Sequence, residues 1–421
     1  MNFAYSLVLS IFAPFVLIRL LWLGTKNPDY LKRWPERFGF LPDLHITKPL
    51  IWLHAVSVGE VQAAKPLVEQ LLKRHPDRQI LITTTTPTGV ATVKQLFGER
   101  VFQLYFPYDL PLSISRFLRK TKPKLLIVME TEIWPNLYQQ CHEKDIPIAL
   151  INARLSERSS TGYKRFPRLA ARTLQYVSLI STQTKADAER FLLLGANPDV
   201  VSVAGNLKFD VTQPHSIGEK GQVLRRFFSV NRAIWIAAST HEGEEKIVLE
   251  AFEEVLIHDK SCLLILAPRH PERFQAITDL CKKAGFNTAR HSEKEQYSGA
   301  TQIYVLDTLG ELPAFYATSD ISFVGGSLVP TGGHNMLEPA SLGIPIICGE
   351  YLFNFVEVAD LLKSENALIL VATAKELAEA VIKLLSDANL RHSMGERARK
   401  VFFGNQGSIN NILLSLQEIF P

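Results

Sequence analysis

Acidic and basic side chains recur in this chain where a short apolar run gives way to a helical pattern. In an α/β protein those are the positions that can reach a ligand. His54-Ala-Val-Ser-Val-Gly-Glu60 carries Glu60 from a strand end to a helix start. A carboxylate there can act as general base on an acceptor hydroxyl, or can merely serve the helix dipole. Met129-Glu-Thr-Glu-Ile-Trp-Pro135 puts Glu130 and Glu132 after another strand, and Gly205-Asn-Leu-Lys-Phe-Asp210 adds Lys208.

The C-terminal half is rich in groups suited to a nucleotide. Ala267-Pro-Arg-His-Pro-Glu-Arg273 ends a strand, and its Arg269 can bind a phosphate or a carboxylate bidentately; the alternative is an ordinary surface arginine. Ser239 and Thr240 follow an earlier strand as further phosphate donors. The Leu309, Gly310 and Glu311 segment starts a helix whose N–H groups can read a base or ribose. Ile321 to Ser327 runs into a glycine turn, and Thr331-Gly-Gly-His-Asn-Met-Leu-Glu-Pro339 enters a helix. Gly326 and Gly333 would let the backbone approach a phosphate, with Asn335 and Glu338 near the ribose; the competing reading is a structural turn with Glu338 on the helix dipole. No paired carboxylates occupy a metal-binding loop, so a donor with a single phosphate and no metal is expected.

Elements that could position these groups alternate along the chain. Strands are expected at 50–58, 79–84, 124–129, 147–151, 177–181 and 200–204, then at 233–237, 262–267, 302–306, 320–324, 344–348 and 367–371, with helical stretches between them and a long helical tail over 375–419. This is the pattern of parallel sheets covered on both faces. It predicts an N-terminal Rossmann-like domain over 26–209, a linker over 210–221 containing Pro214, Gly218 and Gly221, and a second Rossmann-like domain with C-terminal helices over 222–421. Ligands would then bind in a central cleft, a plan shared by glycosyltransferases, sugar-nucleotide epimerases and binding proteins.

Before the first strand, residues 3–23 are almost wholly apolar, interrupted by Arg19 and Pro14. Residues 1–25 read as a membrane anchor, either spanning or lying in the interface, with a soluble core helix as the third option. Lys26, Lys32, Arg33 and Arg37 follow and place the remainder on the cytoplasmic side by the positive-inside rule. Arg154, Arg158, Lys164, Arg165, Arg168 and Arg172 cluster against a single acid, Glu157. They form either a solvated basic helix or a surface for lipid phosphate. A net charge of +4 gives no reason to expect nucleic acid. The four cysteines form no CxxC pair, which argues against a zinc site or a disulfide framework.

Taken together and in order, the five blocks beginning at His54, Met129, Gly205, Pro268 and Gly332 resemble those of the Kdo transferases, which attach 3-deoxy-D-manno-octulosonic acid (Kdo) to lipid A. The likeness extends over essentially the whole chain. It implies a GT-B fold, a CMP-Kdo donor, a lipid A precursor (lipid IVA) as acceptor, inversion at the anomeric carbon, and attachment to the bacterial inner membrane in lipopolysaccharide synthesis. It makes Glu60 the proton acceptor and Glu130 and Lys208 the groups that stabilise the transition state. Pro268, Arg269, Leu309, Gly310, Glu311, Asn335, Met336, Leu337 and Glu338 would contact the cytidine nucleotide. The rival readings are a transferase using a UDP- or ADP-sugar and a non-catalytic, membrane-tethered nucleotide- or lipid-binding protein.

Overall fold

The structure, a computed structural model, describes residues 3–210 and 216–420. Two compact units emerge, one of residues 1–211 with 406–421, the other of residues 212–405. Unit 1 holds strands β1 (Leu50–His54), β2 (Gln79–Thr84), β3 (Phe102–Tyr105), β4 (Leu125–Met129), β5 (Ile148–Ala153), β6 (Leu179–Thr182) and β7 (Val201–Val203). They pair in parallel in the order β3-β2-β1-β4-β5-β6-β7. Unit 2 repeats the plan with β8 (Ile234–Thr240), β9 (Leu263–Pro268), β10 (Thr288–Arg290), β11 (Ile303–Val305), β12 (Ile321–Val324), β13 (Ile346–Cys348) and β14 (Leu368–Leu370). Its order is β10-β11-β9-β8-β12-β13-β14, again all parallel.

Both faces of each sheet are buried, which is why the central strands read as unbroken apolar runs. Successive side chains point to opposite faces. Trp52 therefore joins Leu126, Val128 and Leu150 in one core layer, while Ile51 and Leu53 join Ile82, Ile127 and Ala149 in the other. In unit 2, Trp235 and Ala237 face Leu264 and Phe323, and Ile234 and Ile236 face Leu263 and Ile265. Helices enter from the strand ends behind hydroxyl caps: Ser57, Thr86 and Thr184 each accept the N–H of the residue three further on.

Three expectations need correction: the end of the first strand, the linker, and the unit to which the last helix of the tail belongs. The first strand stops at His54, because Ser57 caps a helix that begins at Val58. The expected linker is partly a helix, Ser216–Phe228, which includes Gly218 and Gly221; a Cβ on Gly221 would meet that of Ala317 at 2.5 Å, so this glycine permits helix packing. Pro214 and residues 211–215 lie outside the described residues. The tail is three helices, Ala374–Ser386, Ala388–Gly404 and Ser408–Ile419. The last of these belongs to unit 1, where Ile412, Leu413 and Leu416 enter the core. The Asp210 carboxylate holds it there, accepting from the N–H of Gly407 and of Ile409 at 2.6 Å each.

The helix Phe3–Lys26 is long and apolar enough to cross a membrane. One stripe, from Tyr5 and Ser6 through Leu9, Ala13 and Val16 to Leu20 and Gly24, is buried or half-buried against unit 1. Tyr5 donates to the Asp109 carboxylate at 3.1 Å, and Ser6 to the side-chain oxygen of Asn136 at 2.7 Å. The other face leaves Leu7, Val8, Ile11, Phe12, Phe15, Ile18, Leu21 and Trp22 about half exposed. Covering them with an apolar phase would release on the order of 5–10 kcal/mol. Of the cations named after the apolar segment, Lys26 is exposed over the Trp22 ring, and the other three are engaged or buried. Lys32 pairs with Asp29, Arg33 pairs with Glu36, and Arg37 is buried.

Candidate active site

The strand order reverses between β1 and β4 in unit 1 and between β8 and β12 in unit 2, where β11 also lies out of sequence between β10 and β9. Open α/β sheets bind ligands at such points, beyond the carboxyl ends of the strands. In unit 1 the segments that leave this point carry Glu60, in the first turn of the helix after β1, and Glu130 and Glu132, in the loop after β4.

Glu60 closes a reciprocal cap with Ser57. Its carboxylate accepts the Val56 N–H at 2.8 Å and the Ser57 hydroxyl at 3.1 Å, while the Glu60 N–H donates to Ser57 Oγ at 3.3 Å. The helix-end role left open by the sequence is thus real, but it does not exhaust the residue. Glu60 also lines a cavity of about 230 Å³ together with Glu130, Thr131, Glu132, Arg154, Ser156 and Ser159. Burial, then repulsion from Glu130, pushes its carboxyl up to about 7, against the hydrogen bonds from Val56 and Ser57. Glu132 is likewise raised to about 7, mainly by burial. Acids held at that poise are suited to proton transfer near neutral pH.

The surrounding backbone is locally strained. Glu130 has φ 53° and Asn152 has φ 52°, the latter where the β5–β6 register shifts. Asn152 uses its side-chain oxygen to accept the Leu207 N–H at 3.0 Å, fixing the turn Leu207–Asp210 that carries Lys208. This turn packs against the helix Val58–Arg74. Lys208 is not among the residues lining the cavity, whereas Arg154 is. Arg158, Lys164 and Arg165 are exposed, on or just after the helix Glu157–Tyr163. His54, despite its motif, is structural. It is fully buried, stacked on Phe106 at 3.8 Å and held neutral, its imidazolium form depressed to about 3 by burial.

In unit 2 the switch-point loops are joined by a residue that sequence reasoning missed. Glu244, fully buried at the start of the helix Glu244–His258, accepts the N–H groups of His241, Gly326, Ser327 and Leu328 at 2.7–2.9 Å. The Gly326 N–H is therefore already engaged, and the Gly333 N–H donates to Gly326 O at 2.7 Å. These glycines serve loop packing: a Cβ on Gly325 would approach Ser239 O at 2.8 Å, and one on Gly326 would approach His334 at 2.8 Å. The N–H groups of Gly326 and Gly333 are both engaged within the protein. The signal for Glu244 in the sequence was slight, an acid beginning a helix after Gly243, with nothing to indicate partners some 80 residues away.

Arg269, exposed after β9, shares this region with His241, His270 and His334. His241 and His334 stack with Nε2 atoms 2.7 Å apart. His334 is depressed to about 4 by burial and by the neighbouring cations. Glu338 accepts from Asn335 Nδ2 at 3.1 Å; burial raises its carboxyl, against Asn335 and Arg269, which lower it. Met336 and Leu337 bury their side chains, leaving only backbone for a ligand, and the Leu337 N–H already bonds Asn335 Oδ1. The helix they enter has only five residues, Leu337–Ser341. Ser239 has φ 56°, and Thr240 is buried with its hydroxyl unpartnered. Pro268 ends β9. Leu309 and Gly310 are exposed, whereas Glu311 is drawn to His291 at 3.1 Å.

Known proteins resemble this chain over nearly its full length. Residues 32–211 match the family model of 3-deoxy-D-manno-octulosonic-acid transferase, and residues 237–401 match that of glycosyl transferases group 1. The 3-deoxy-D-manno-octulosonic acid transferase of Haemophilus influenzae is 41% identical over 98% of this chain and 97% of its own. That of Bordetella pertussis is 33% identical over 98% of both. The UDP-GlcNAc 2-epimerase of Neisseria meningitidis superposes with a TM-score of 0.59 at 17% identity, covering 88% of this chain and all of its own. At that identity it speaks for the fold alone.

Proposed function

This chain belongs to the 3-deoxy-D-manno-octulosonic acid (Kdo) transferase family of glycosyltransferases, and on that premise we propose that it moves Kdo from CMP-Kdo onto a lipid A precursor with inversion at the anomeric carbon. The observation that carries the acceptor half is Glu60, a buried carboxylate poised at about 7 in a polar cavity at the switch point of unit 1. Glu60 would take the proton of the acceptor sugar hydroxyl, and the resulting oxygen would attack the anomeric carbon as the bond to CMP breaks. Glu130 and Lys208 are assigned to the transition state, with Arg154 the cation closest to hand in the cavity. Unit 2 would hold the nucleotide through Arg269, the backbone of 335–337, Glu338 and the exposed segment 309–311. One phosphate can be answered by a guanidinium, so the reaction is proposed to need no metal. Titration with CMP, UDP and ADP tests the donor class: CMP should bind tightest, and a preference for either of the others would redirect the reading to another nucleotide sugar.

Arg269→Ala should weaken donor binding by about 1.5–3 kcal/mol, the worth of a hydrogen bond to a charged group. The donor KM and the CMP dissociation constant measure it; both unchanged would remove Arg269 from the site.

We read the N-terminal helix as the membrane attachment, its open apolar face in the acyl region and its inner stripe on unit 1. The catalytic units would lie on the cytoplasmic side of the inner membrane, where nucleotide sugars are made. Among the described residues, deleting Met1 to Leu23 removes two side-chain bonds to the rest of unit 1 and, of the buried core, only Leu20. The truncated protein should stay folded and act on detergent-dispersed acceptor, yet act poorly on acceptor in vesicles, because local concentration is lost. Equal rates on vesicles with and without the helix would refute this role.

A further inference from the structure

A second cavity of unit 1, about 350 Å³, lies between the N-terminal helix and the loops after β2, β3 and β4. Leu20 and Leu23 of the helix, with Phe106 and Trp134, form its apolar wall, and Arg19 and Arg37 supply its cations. Arg37 is only 4% exposed. Its guanidinium stacks on Tyr105 at 4.0 Å and donates through Nη2 to Thr85 O at 2.9 Å, but Nε has no partner. No carboxylate among the described residues pairs with it. The one acid in the wall, Asp109, is spent on the N–H groups of Asn136 and Leu137 and on the Tyr5 hydroxyl, and burial raises its carboxyl to about 7. A buried cation lacking a counter-ion costs several kcal/mol unless a ligand brings the anion.

The cavity backs onto the carboxylate site. Thr85, which accepts from Arg37, donates its own N–H and hydroxyl to Val56 O at 3.3 and 3.1 Å, and the Val56 N–H is the one held by Glu60. Trp134 terminates the segment that bears Glu130 and Glu132. Resting on the function proposed above, we infer that this cavity is a subsite for the acceptor lipid, with a phosphate of the acceptor on Arg37, Arg19 at the rim, and an acyl chain along Leu20 and Leu23. A phosphate would complete the Arg37 fork, and the volume holds roughly ten water-sized groups. The shared loops favour the acceptor over a bulk phospholipid, since they connect this anion to the carboxylate that must meet the acceptor hydroxyl.

The test compares a tetraacylated disaccharide acceptor carrying its phosphates with the same acceptor after phosphatase treatment, in detergent free of phospholipid, using the full-length protein. Wild type should favour the phosphorylated acceptor in kcat/KM by at least about ten-fold, the scale of one charge-assisted hydrogen bond. Arg37→Met should bring that ratio to within two- or three-fold of unity. A variant that slows both acceptors in parallel and keeps the ratio would show a purely structural arginine and overturn the subsite. So would a defect confined to vesicles of anionic phospholipid, which would assign the cavity to a bilayer headgroup. If Arg37→Met does not fold, Arg19→Gln, on the exposed helix, carries the test; a ratio equal to wild type then overturns the inference. Absence of transfer to either acceptor by the wild type would count against the proposed function and not against this subsite.

Discussion

Glu60→Gln is expected to lower kcat by about 10²–10⁴, the usual worth of a positioned general base, while CMP affinity stays within a few-fold. Glutamine is the informative substitution because its side-chain oxygen can still accept the Val56 N–H, so the cap survives and the proton acceptor does not. Alanine would confound the two losses. The pH profile supplies a second readout. Glu60 must be ionised to act, and its carboxyl stands near 7; the wild-type rate should therefore climb with pH through that value. Because repulsion from Glu130 contributes to the rise, Glu130→Gln should move the midpoint to lower pH. A Glu60→Gln enzyme with near-normal turnover would leave Glu60 as a capping residue only.

Glu244→Ala should cost about 4 kcal/mol of stability, since four N–H groups, those of Gly326 and Ser327 buried and those of His241 and Leu328 partly so, lose a charged acceptor together and each unmade bond costs about 1–3 kcal/mol. For a unit of this size that is a fall of roughly 8–16 °C in thermal midpoint. Glu244→Gln should be nearly as damaging, because an amide NH₂ would confront N–H donors where an oxygen now accepts them. That result separates lost hydrogen bonds from lost volume. Calorimetry measures both variants; a fall of under 2 °C for alanine would mean that the loops after β8 and β12 hold themselves in place without the carboxylate.

Central strands and motif positions were legible because both-face burial writes β1, β4, β8 and β9 as apolar runs whatever their neighbours. Two edge strands were not. β3 has four residues and β10 three, and half-buried Gln103 and Arg290 interrupt their apolar pattern. Glu60, Glu130 and Arg269 were found from their places after strands, but the sequence could not say that Glu60 and Glu130 meet at a switch point, since strand order is set by pairing over long separations. The same limit hid Glu244, most of whose N–H donors lie in another loop, and Asp210, whose carboxylate reads locally as a linker acid and in fact caps the final helix. Gly326 and Gly333 read as glycines that let the backbone approach a phosphate, but the sequence could not show that their N–H groups are satisfied within the protein.

Kdo transfer can be read from the mass of the lipid product after the purified full-length protein is incubated with CMP-Kdo and a tetraacylated, phosphorylated lipid A precursor. The acceptor should gain mass in whole Kdo residues, with one CMP released for each. CMP release without a heavier acceptor, or an acceptor extended only when a UDP- or ADP-sugar replaces CMP-Kdo, would contradict it.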